Sequence, residues 1–150
     1  MNKIILLDAS PLGTICNPKH SVQTFACAQW AEQRLQQGDL IAIPEIADYE
    51  VRRELIRGQK TRSVARLNQM KTRFDYLPLT TAVMLRAAEF WAQARNMGKP
   101  TAGNQRLDAD VILAAQASLL LEDGDEVIVA TTNPKHLSLF VPAALWQDIR

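Results

Sequence analysis

The feature that most constrains the fold is a short apolar run near the start of the chain, Ile4-Ile5-Leu6-Leu7, which leads directly into Asp8-Ala9-Ser10. Large apolar residues without polar alternation are typical of a strand buried on both faces, as in the middle of a parallel sheet. Asp8 then lies at the carboxyl end of that strand, where open α/β sheets bind their ligands. Asp8 is therefore a candidate functional residue, although many such aspartates only cap the following turn.

A second buried-strand pattern, Val127-Ile128-Val129-Ala130, occurs late in the chain and ends in Thr131-Thr132-Asn133. Between the two runs, helical patterns alternate with short strands predicted at residues 40–43 and 76–79. This alternation predicts an α/β fold with three layers, in which helices flank a central, mainly parallel sheet. From the length of the chain we expect residues 1–150 to form a single domain.

Turn and capping residues predict where the helices begin. Pro11-Leu12-Gly13 predicts a turn, and Ser21 is the expected N-cap of the next helix. Residues 99–106 predict a polar loop, after which Asp108 is the expected N-cap of an apolar helix. Trp91 recurs at helical spacing with apolar residues, so we expect it in the core rather than on a base-stacking surface.

Charge is unevenly distributed along the chain, although the net charge is only +1. Eight basic residues fall in the segment 52–73, opposed only by Glu54: Arg52, Arg53, Arg57, Lys60, Arg62, Arg66, Lys71 and Arg73. Such an excess of one sign indicates a surface for a polyanion, whereas a purely solvated helix face is better served by mixed charges.

Cysteine usage and hydropathy bear on the compartment. Cys16 and Cys27 are isolated and form no C-x-x-C motif, so we expect reduced thiols and a cytoplasmic protein. The first apolar run is too short for a signal peptide, and no segment approaches the length that spans a bilayer. We therefore expect no membrane partner.

The two buried strands carry the candidate chemistry. If they are neighbours in a parallel sheet, Asp8 and Asn133 lie at the same edge, and a helix-start acid such as Asp110 can point into the same crevice. Oxygen ligands with no His or Cys nearby favour Mg²⁺ or Mn²⁺ over Zn²⁺. Such a metal activates water for attack on a phosphodiester, and the basic segment would hold the phosphate backbone. The combination indicates a nuclease.

Other catalytic templates are absent from the sequence. There is no G-x-x-x-x-G-K-[ST], no G-x-S-x-G and no H-E-x-x-H, and His20 and His136 lie far apart in the chain. Asp8-Ala9-Ser10 lacks the second adjacent acid of a receiver domain and the D-x-D of a haloacid dehalogenase.

The chain resembles the PIN-domain ribonucleases, including the VapC-type toxins of bacterial toxin–antitoxin pairs. Four segments carry the resemblance, in the order and approximate spacing of the family: Ile5-Leu6-Leu7-Asp8-Ala9-Ser10, Tyr49-Glu50-Val51-Arg52-Arg53, Leu107-Asp108-Ala109-Asp110-Val111-Ile112-Leu113-Ala114-Ala115, and Ala130-Thr131-Thr132-Asn133 followed by His136-Leu137. The resemblance implies a PIN-like fold and an endoribonuclease that depends on Mg²⁺ or Mn²⁺. It also implies an RNA substrate, an antitoxin protein as partner and a homodimer.

Carried over residue by residue, the resemblance places the catalytic side chains at Asp8, Glu50, Asp110 and Asn133, with the three acids as metal ligands. Asp110 matches the family better than Asp108 because it directly precedes the apolar-Ala-Ala run. Glu50 matches better than Glu54 because an apolar residue and a basic pair follow it, while Glu54 shares the helix face and can assist.

Asn133 departs from the pattern, because many members carry Asp at this position. An amide oxygen can orient a water but contributes no charge. The resemblance then implies weaker metal binding and leaves the number of metals open. A competing interpretation is a PIN-like domain that binds RNA or a protein without cleaving it. Against it stands the cost of bringing Asp8, Glu50 and Asp110 together without a metal.

Overall fold

A computed structural model describes residues 3–19, 21–98 and 104–150, with side chains described from residue 107 onward in the last range. The strands are β1 (Ile4–Leu7), β2 (Leu40–Pro44), β3 (Asp75–Leu77), β4 (Val127–Thr131) and β5 (Ala143–Leu145). The helices are α1 (Ala9–Cys16), α2 (Val22–Gln36), α3 (Glu45–Arg57), α4 (Thr61–Arg73), α5 (Thr81–Asn96), α6 (Asn104–Glu122) and α7 (Pro134–Leu137), and a short 3-10 helix covers Trp146–Asp148.

The five strands form one parallel sheet in the order β3-β2-β1-β4-β5. β1 lies in the middle, where Leu6 pairs with Ala42 of β2 and with Val129 of β4. The chain builds the sheet outward from β1 in one direction and then returns to its other side, so the strand order reverses between β1 and β4. The predicted three-layer α/β fold is confirmed, and Asp8 follows the strand at which the order switches.

The central strand is buried on both faces. Ile5, Leu6 and Leu7 are fully buried. Ile5 and Leu7 pack into a core with α1 and α2, whereas Leu6 faces the opposite layer and packs against Leu113 of α6. Successive side chains of a strand point to opposite faces, so an unbroken apolar run is what a strand between two helical layers requires.

The predicted turn at Pro11-Leu12-Gly13 is wrong, because these residues lie inside α1. Since α1 begins at Ala9, Pro11 falls in the first helical turn, where its missing N–H has no partner to lose. A Cβ on Gly13 would lie 3.9 Å from a methyl group of Val51, so the glycine sits where α1 approaches α3.

The start of α6 also differs from the prediction. The helix begins at Asn104, so residues 104–106 are helical and Asp108 is not an N-cap. Gln105 and Arg106 have good intrinsic helix propensity, and a polar first turn is compatible with a helix. The remainder of the predicted loop, residues 99–103, lies outside the described residues.

The prediction for Ser21 is confirmed, but the expected burial of Trp91 is wrong. The Ser21 hydroxyl accepts a hydrogen bond from Thr24 N–H at 3.0 Å, as an N-cap should. Trp91 is 40% exposed because α5 turns a neighbouring face, with Ala87 and Ala94, toward the core. The Arg95 guanidinium covers its ring at 5.0 Å. Among the described helices, none is long and apolar enough to cross a bilayer.

Candidate active site

Asp8 is held by both of its carboxylate oxygens. It lies between β1 and α1 as the N-cap, and Oδ1 accepts a hydrogen bond from Ala9 N–H at 2.7 Å. Oδ2 accepts a hydrogen bond from the Thr131 hydroxyl at 2.8 Å. Asp8 therefore caps the helix and also lies at the ligand-binding edge of the sheet, so the two roles weighed from the sequence are compatible.

Thr131 links the ends of the two central strands. It is the last residue of β4 and is only 1% exposed. Its hydroxyl donates to Asp8 and accepts a hydrogen bond from Asn133 N–H at 3.1 Å. The sequence motifs gave Thr131 no role of its own. A polar residue that ends an otherwise apolar buried strand was the signal for it.

A small cavity of about 30 Å³ opens at this edge of the sheet. Its lining residues are Asp8, Ser10, Asp110, Thr131, Thr132, Asn133 and His136. The structure thus brings three of the four residues proposed from the sequence, Asp8, Asp110 and Asn133, around one space. The residue after β1, α1, the end of β4 with the two residues after it, α6 and α7 each contribute to its wall.

Asp110 and Asp108 lie on different sides of α6. Asp110 is half-buried and lines the cavity, whereas Asp108 is exposed and lines a groove between α5 and α6. Residues two apart on a helix point about 200° apart, so only one of the two acids can reach the cavity. This placement agrees with the choice of Asp110 over Asp108.

Glu50 lies on α3, which packs against α6, but it is not among the residues described as lining this cavity. Its half-buried side chain interacts with another group of the molecule. Glu54 is exposed and accepts two hydrogen bonds from Arg57 at 2.7 and 3.0 Å. The part of Glu50 in the site stays a prediction.

His136 lines the cavity, so the expectation of a site with no histidine nearby is wrong. The short helix α7 begins at Pro134, directly after Asn133, and places His136 in the cavity wall at this edge of the sheet. Within the described part of the chain, the Asn133 side chain makes no capping hydrogen bond to α7. Both side chains thus add polar groups to the wall formed by the two acids.

The donor set of the cavity fits a hard cation. Two carboxylates, from Asp8 and Asp110, stand beside hydroxyl, amide and imidazole groups, and the volume suffices for an ion or a water molecule. Across residues 3–19, 21–98 and 104–150, no three His, Cys, Asp or Glu side chains are close enough to hold a metal together. The two carboxylates with their neighbouring hydroxyl and amide oxygens are ligands of the kind that Mg²⁺ or Mn²⁺ accepts together with waters.

The basic segment is less cationic in three dimensions than in sequence. Asp48 is 3% exposed and pairs with Arg52 at 2.8 Å and with Lys71 at 3.6 Å. Arg73 pairs with Glu32. Folding therefore adds acids from outside the segment, Asp48 and Glu32, to the Glu54 that lies within it in the sequence.

Arg57 and Arg66 also have partners within the molecule, Glu54 and the carbonyl of Ile15. Three cations of the segment have neither an ion pair nor a side-chain hydrogen bond to any described residue: Arg53, Lys60 and Arg62. The available positive charge is thus concentrated on the exposed parts of α3 and on the start of α4.

Comparison with known proteins gives one family and several solved structures of similar fold. A family model described as "PIN domain" matches residues 5–136. The fold is similar to that of a chain of VapBC2 from Rickettsia felis bound to a DNA fragment from their promoter, with 18% identity, a TM-score of 0.71, and coverage of 95% of this chain and 98% of that one.

Two further structures show the same fold. One is DNA-bound VapBC from Salmonella typhimurium, with 19% identity, a TM-score of 0.66, and coverage of 97% of this chain and 99% of that one. The other is VapBC-1 from nontypeable Haemophilus influenzae, with 18% identity, a TM-score of 0.64 and the same coverages. No curated protein sequence matches the chain.

Proposed function

The chain belongs to the PIN-domain family, and from that premise we propose that residues 1–150 form one nuclease domain that hydrolyses phosphodiester bonds of RNA with Mg²⁺ or Mn²⁺. One observation carries the proposal. Asp8, from the end of the central strand, and Asp110, from α6, line the same small cavity at the point where the strand order reverses. Two carboxylates at such an edge are suited to hold a divalent cation.

Each side chain of the site has a proposed role. Asp8 and Asp110 hold the cation, which when bound lowers the pKa of a water and offsets charge at phosphorus. Asn133 orients a water through its amide oxygen. Glu50, on α3, is the proposed third acid. Thr131 keeps the Asp8 carboxylate turned toward the cavity through the hydrogen bond described above.

RNA is the proposed substrate because the charge that remains unpaired is positive. Arg53, Lys60 and Arg62 are exposed and lie on α3 and around the start of α4. Phosphate contacts by such cations supply affinity without reading sequence. The Tyr49 ring, which lies 5.0 Å from the Arg53 guanidinium, is 56% exposed and adds an aromatic surface to this region.

We also propose the partners that the VapBC neighbours suggest. The chain would act in the cytoplasm as the toxin of a toxin–antitoxin pair, bound by an antitoxin protein and assembled as a homodimer. Support comes from the fold shared with VapBC chains along nearly the whole length of both. Mass measurement of the purified chain, alone and co-expressed with the product of a neighbouring reading frame, tests both partners.

Cleavage of a structured RNA tests the activity. Wild type should cut in Mg²⁺ or Mn²⁺ and stop in EDTA. Asp110→Asn should lose at least about a hundredfold in rate, since it removes a ligand charge from the site. Asp108→Asn is the matched control, because it makes the same change two residues away on the opposite side of α6. Equal rates for the two variants would refute the proposed site.

The second candidate function is a PIN-like domain that binds RNA or protein without cleaving it. Two observations favour it: the neutral Asn133 in the cavity wall, and the absence of a three-acid cluster among the described side chains. The same assay separates the two. RNA binding without any metal-dependent cleavage, by a wild-type protein that is folded, would establish the binder and exclude the nuclease.

A further inference from the structure

A second, larger cavity of about 570 Å³ lies where the end of α1, the end of α3 and the start of α4 meet. It is lined by Asn17, Pro18, Lys19, Leu55, Gln59, Lys60, Thr61, Arg62 and Ser63. Its lining differs entirely from that of the cavity at Asp8. The two lie at opposite ends of α1, a helix of eight residues and therefore about 12 Å in length.

The charged side chains in this lining are all positive. They are Lys19, Lys60 and Arg62, and none of them forms an ion pair with a residue in the described ranges. Elsewhere in the same segment Arg52, Arg57 and Lys71 are all neutralised by carboxylates. Three unpaired cations around one cavity attract an anion.

The start of α4 points its backbone N–H groups into the same region. α4 has 13 residues, and its N-cap is Lys60, which makes no side-chain capping bond within the described structure. The first N–H groups of a helix have no intrahelical acceptor, and its N-terminus carries a partial positive charge. A lysine is unfavourable there unless an anion lies nearby, and phosphate is a common ligand of such helix starts.

Ser63 provides an independent indication of a ligand. It lies in the first turn of α4, is only 7% exposed and lines the cavity. Its hydroxyl makes no hydrogen bond with any residue that the structure describes. The hydroxyl is not one of the fully enclosed polar atoms that lack a partner, so it opens onto the cavity and is free to donate to a ligand there. A bound anion would accept its hydrogen bond.

The link between α3 and α4 forms part of the cavity wall, and backbone hydrogen bonds hold it in place. Gln59 N–H donates to the Ile56 carbonyl at 3.0 Å, and Lys60 N–H donates to the Leu55 carbonyl at 2.8 Å. This C-terminal motif needs a left-handed residue, which is normally glycine. Here Gln59 adopts φ 56°, and its side chain lines the cavity. A strained non-glycine residue at this position is consistent with a functional side chain.

We propose that this cavity binds a phosphate group, held by Lys19, Lys60, Arg62, the Ser63 hydroxyl and the first N–H groups of α4, and that the phosphate belongs to the RNA backbone. The identity of the ligand as RNA rests on the proposed function, whereas the phosphate site itself does not. Bound there, the strand is anchored about one length of α1 away from Asp8.

Inorganic phosphate tests the site directly. Phosphate should raise the melting temperature of wild type above that in chloride at equal ionic strength, since a ligand bound only by the folded state stabilises it. Arg62→Gln should weaken phosphate binding about tenfold, as expected for the removal of a charge-assisted hydrogen bond. Arg57→Gln removes the same charge outside the cavity, from a cation that is already paired with Glu54, and should leave the phosphate response unchanged.

Ser63→Ala gives a second variant that retains every charge, and it should also weaken the phosphate response. Wild type that responds equally to phosphate and chloride, or Arg62→Gln and Ser63→Ala that respond like wild type, would overturn the site.

RNA binding in EDTA tests whether the ligand is a backbone phosphate. An RNA oligonucleotide, followed by fluorescence anisotropy, should bind more weakly to Arg62→Gln than to Arg57→Gln, and inorganic phosphate should compete with it. Equal affinities for the two variants would refute the assignment to RNA and leave a site for free phosphate. Since no metal is present, this result does not depend on cleavage. A protein that binds RNA as expected but never cuts it would refute the nuclease alone.

Discussion

The Thr131 hydroxyl donates a hydrogen bond to Oδ2 of Asp8 over 2.8 Å and so ties the ends of β1 and β4 together. The same hydroxyl accepts from Asn133 N–H, which places the following loop as well. One buried side chain therefore holds the Asp8 carboxylate and the backbone of Asn133, two residues of the proposed metal site. Its removal should affect stability and metal binding at once.

Thr131→Val preserves the shape of the side chain but deletes the hydroxyl. It leaves Oδ2 of Asp8 and the Asn133 N–H without this partner, so we expect a loss of about 1–3 kcal/mol in the free energy of unfolding. The rise in melting temperature with Mn²⁺ should shrink as well. Thr131→Ser keeps the hydroxyl and should retain most of the metal response. Equal metal responses of the Val and Ser variants would show that the hydrogen bond does not position Asp8.

Asn133→Asp tests whether residue 133 is near the metal. The change adds a formal negative charge to the cavity wall. Two unit charges about 4 Å apart at a protein surface interact by ~1 to 4 kcal/mol. We expect Mn²⁺ to bind more tightly, as measured by calorimetry. The cleavage rate need not rise, because a more negative cavity also repels the scissile phosphate. Unchanged affinity would place residue 133 outside the metal's ligands and hydration shell.

The unpaired cations should dominate the salt dependence of RNA binding. Replacing Arg53, Lys60 and Arg62 with Gln should flatten the slope of log K against log salt by roughly 0.7 for each phosphate that the protein no longer neutralises. Arg57→Gln and Arg73→Gln remove cations that already have carboxylate partners, so their effect on the slope should be smaller. Equal effects per charge in the two sets would show that internal pairing does not decide which cations meet RNA.

The buried thiols predict alkaline instability. Burial raises the pKa of both Cys16 and Cys27 from 9.0 to about 12. The folded state therefore holds these protons more tightly than the unfolded state. Their contribution to stability is complete below pH 9 and is lost as the pH rises toward 12.

Denaturant titrations at about pH 8 and about pH 10.5, on either side of the ordinary thiol pKa, measure this loss. Cys27→Ala should reduce the difference between the two pH values, whatever it does to stability at the lower one. A pH difference as large in Cys27→Ala as in wild type would contradict the assignment to that thiol.

How much of the molecule is predictable from its sequence depends on the range of the interactions involved. The run Ile4-Ile5-Leu6-Leu7 and its late counterpart are local patterns that only a strand between two helical layers satisfies, so the sheet was predictable. Asp8 followed from its position after such a strand. The Pro11 region was not predictable as helix, because proline and glycine signal turns unless the helix start is already known.

The site itself depended on contacts between distant segments. The placement of His136 requires the direction in which α7 leaves β4, and no local pattern gives it. The pairing of Asp48 with Arg52 is local, but its contact with Lys71 needs the packing of α3 against α4. Net charge by segment therefore overestimated the exposed positive surface.

The central claim is that Asp8 and Asp110 hold a divalent cation, and calorimetric titration with Mn²⁺ tests it most directly. Wild type should bind Mn²⁺ with measurable heat. Asp8→Asn and Asp110→Asn should each abolish that binding, while Asp108→Asn should bind as wild type does. Asn is a good N-cap, so Asp8→Asn should keep α1 folded, which circular dichroism can verify. Mn²⁺ binding by a folded Asp8→Asn that matches wild type would contradict the account.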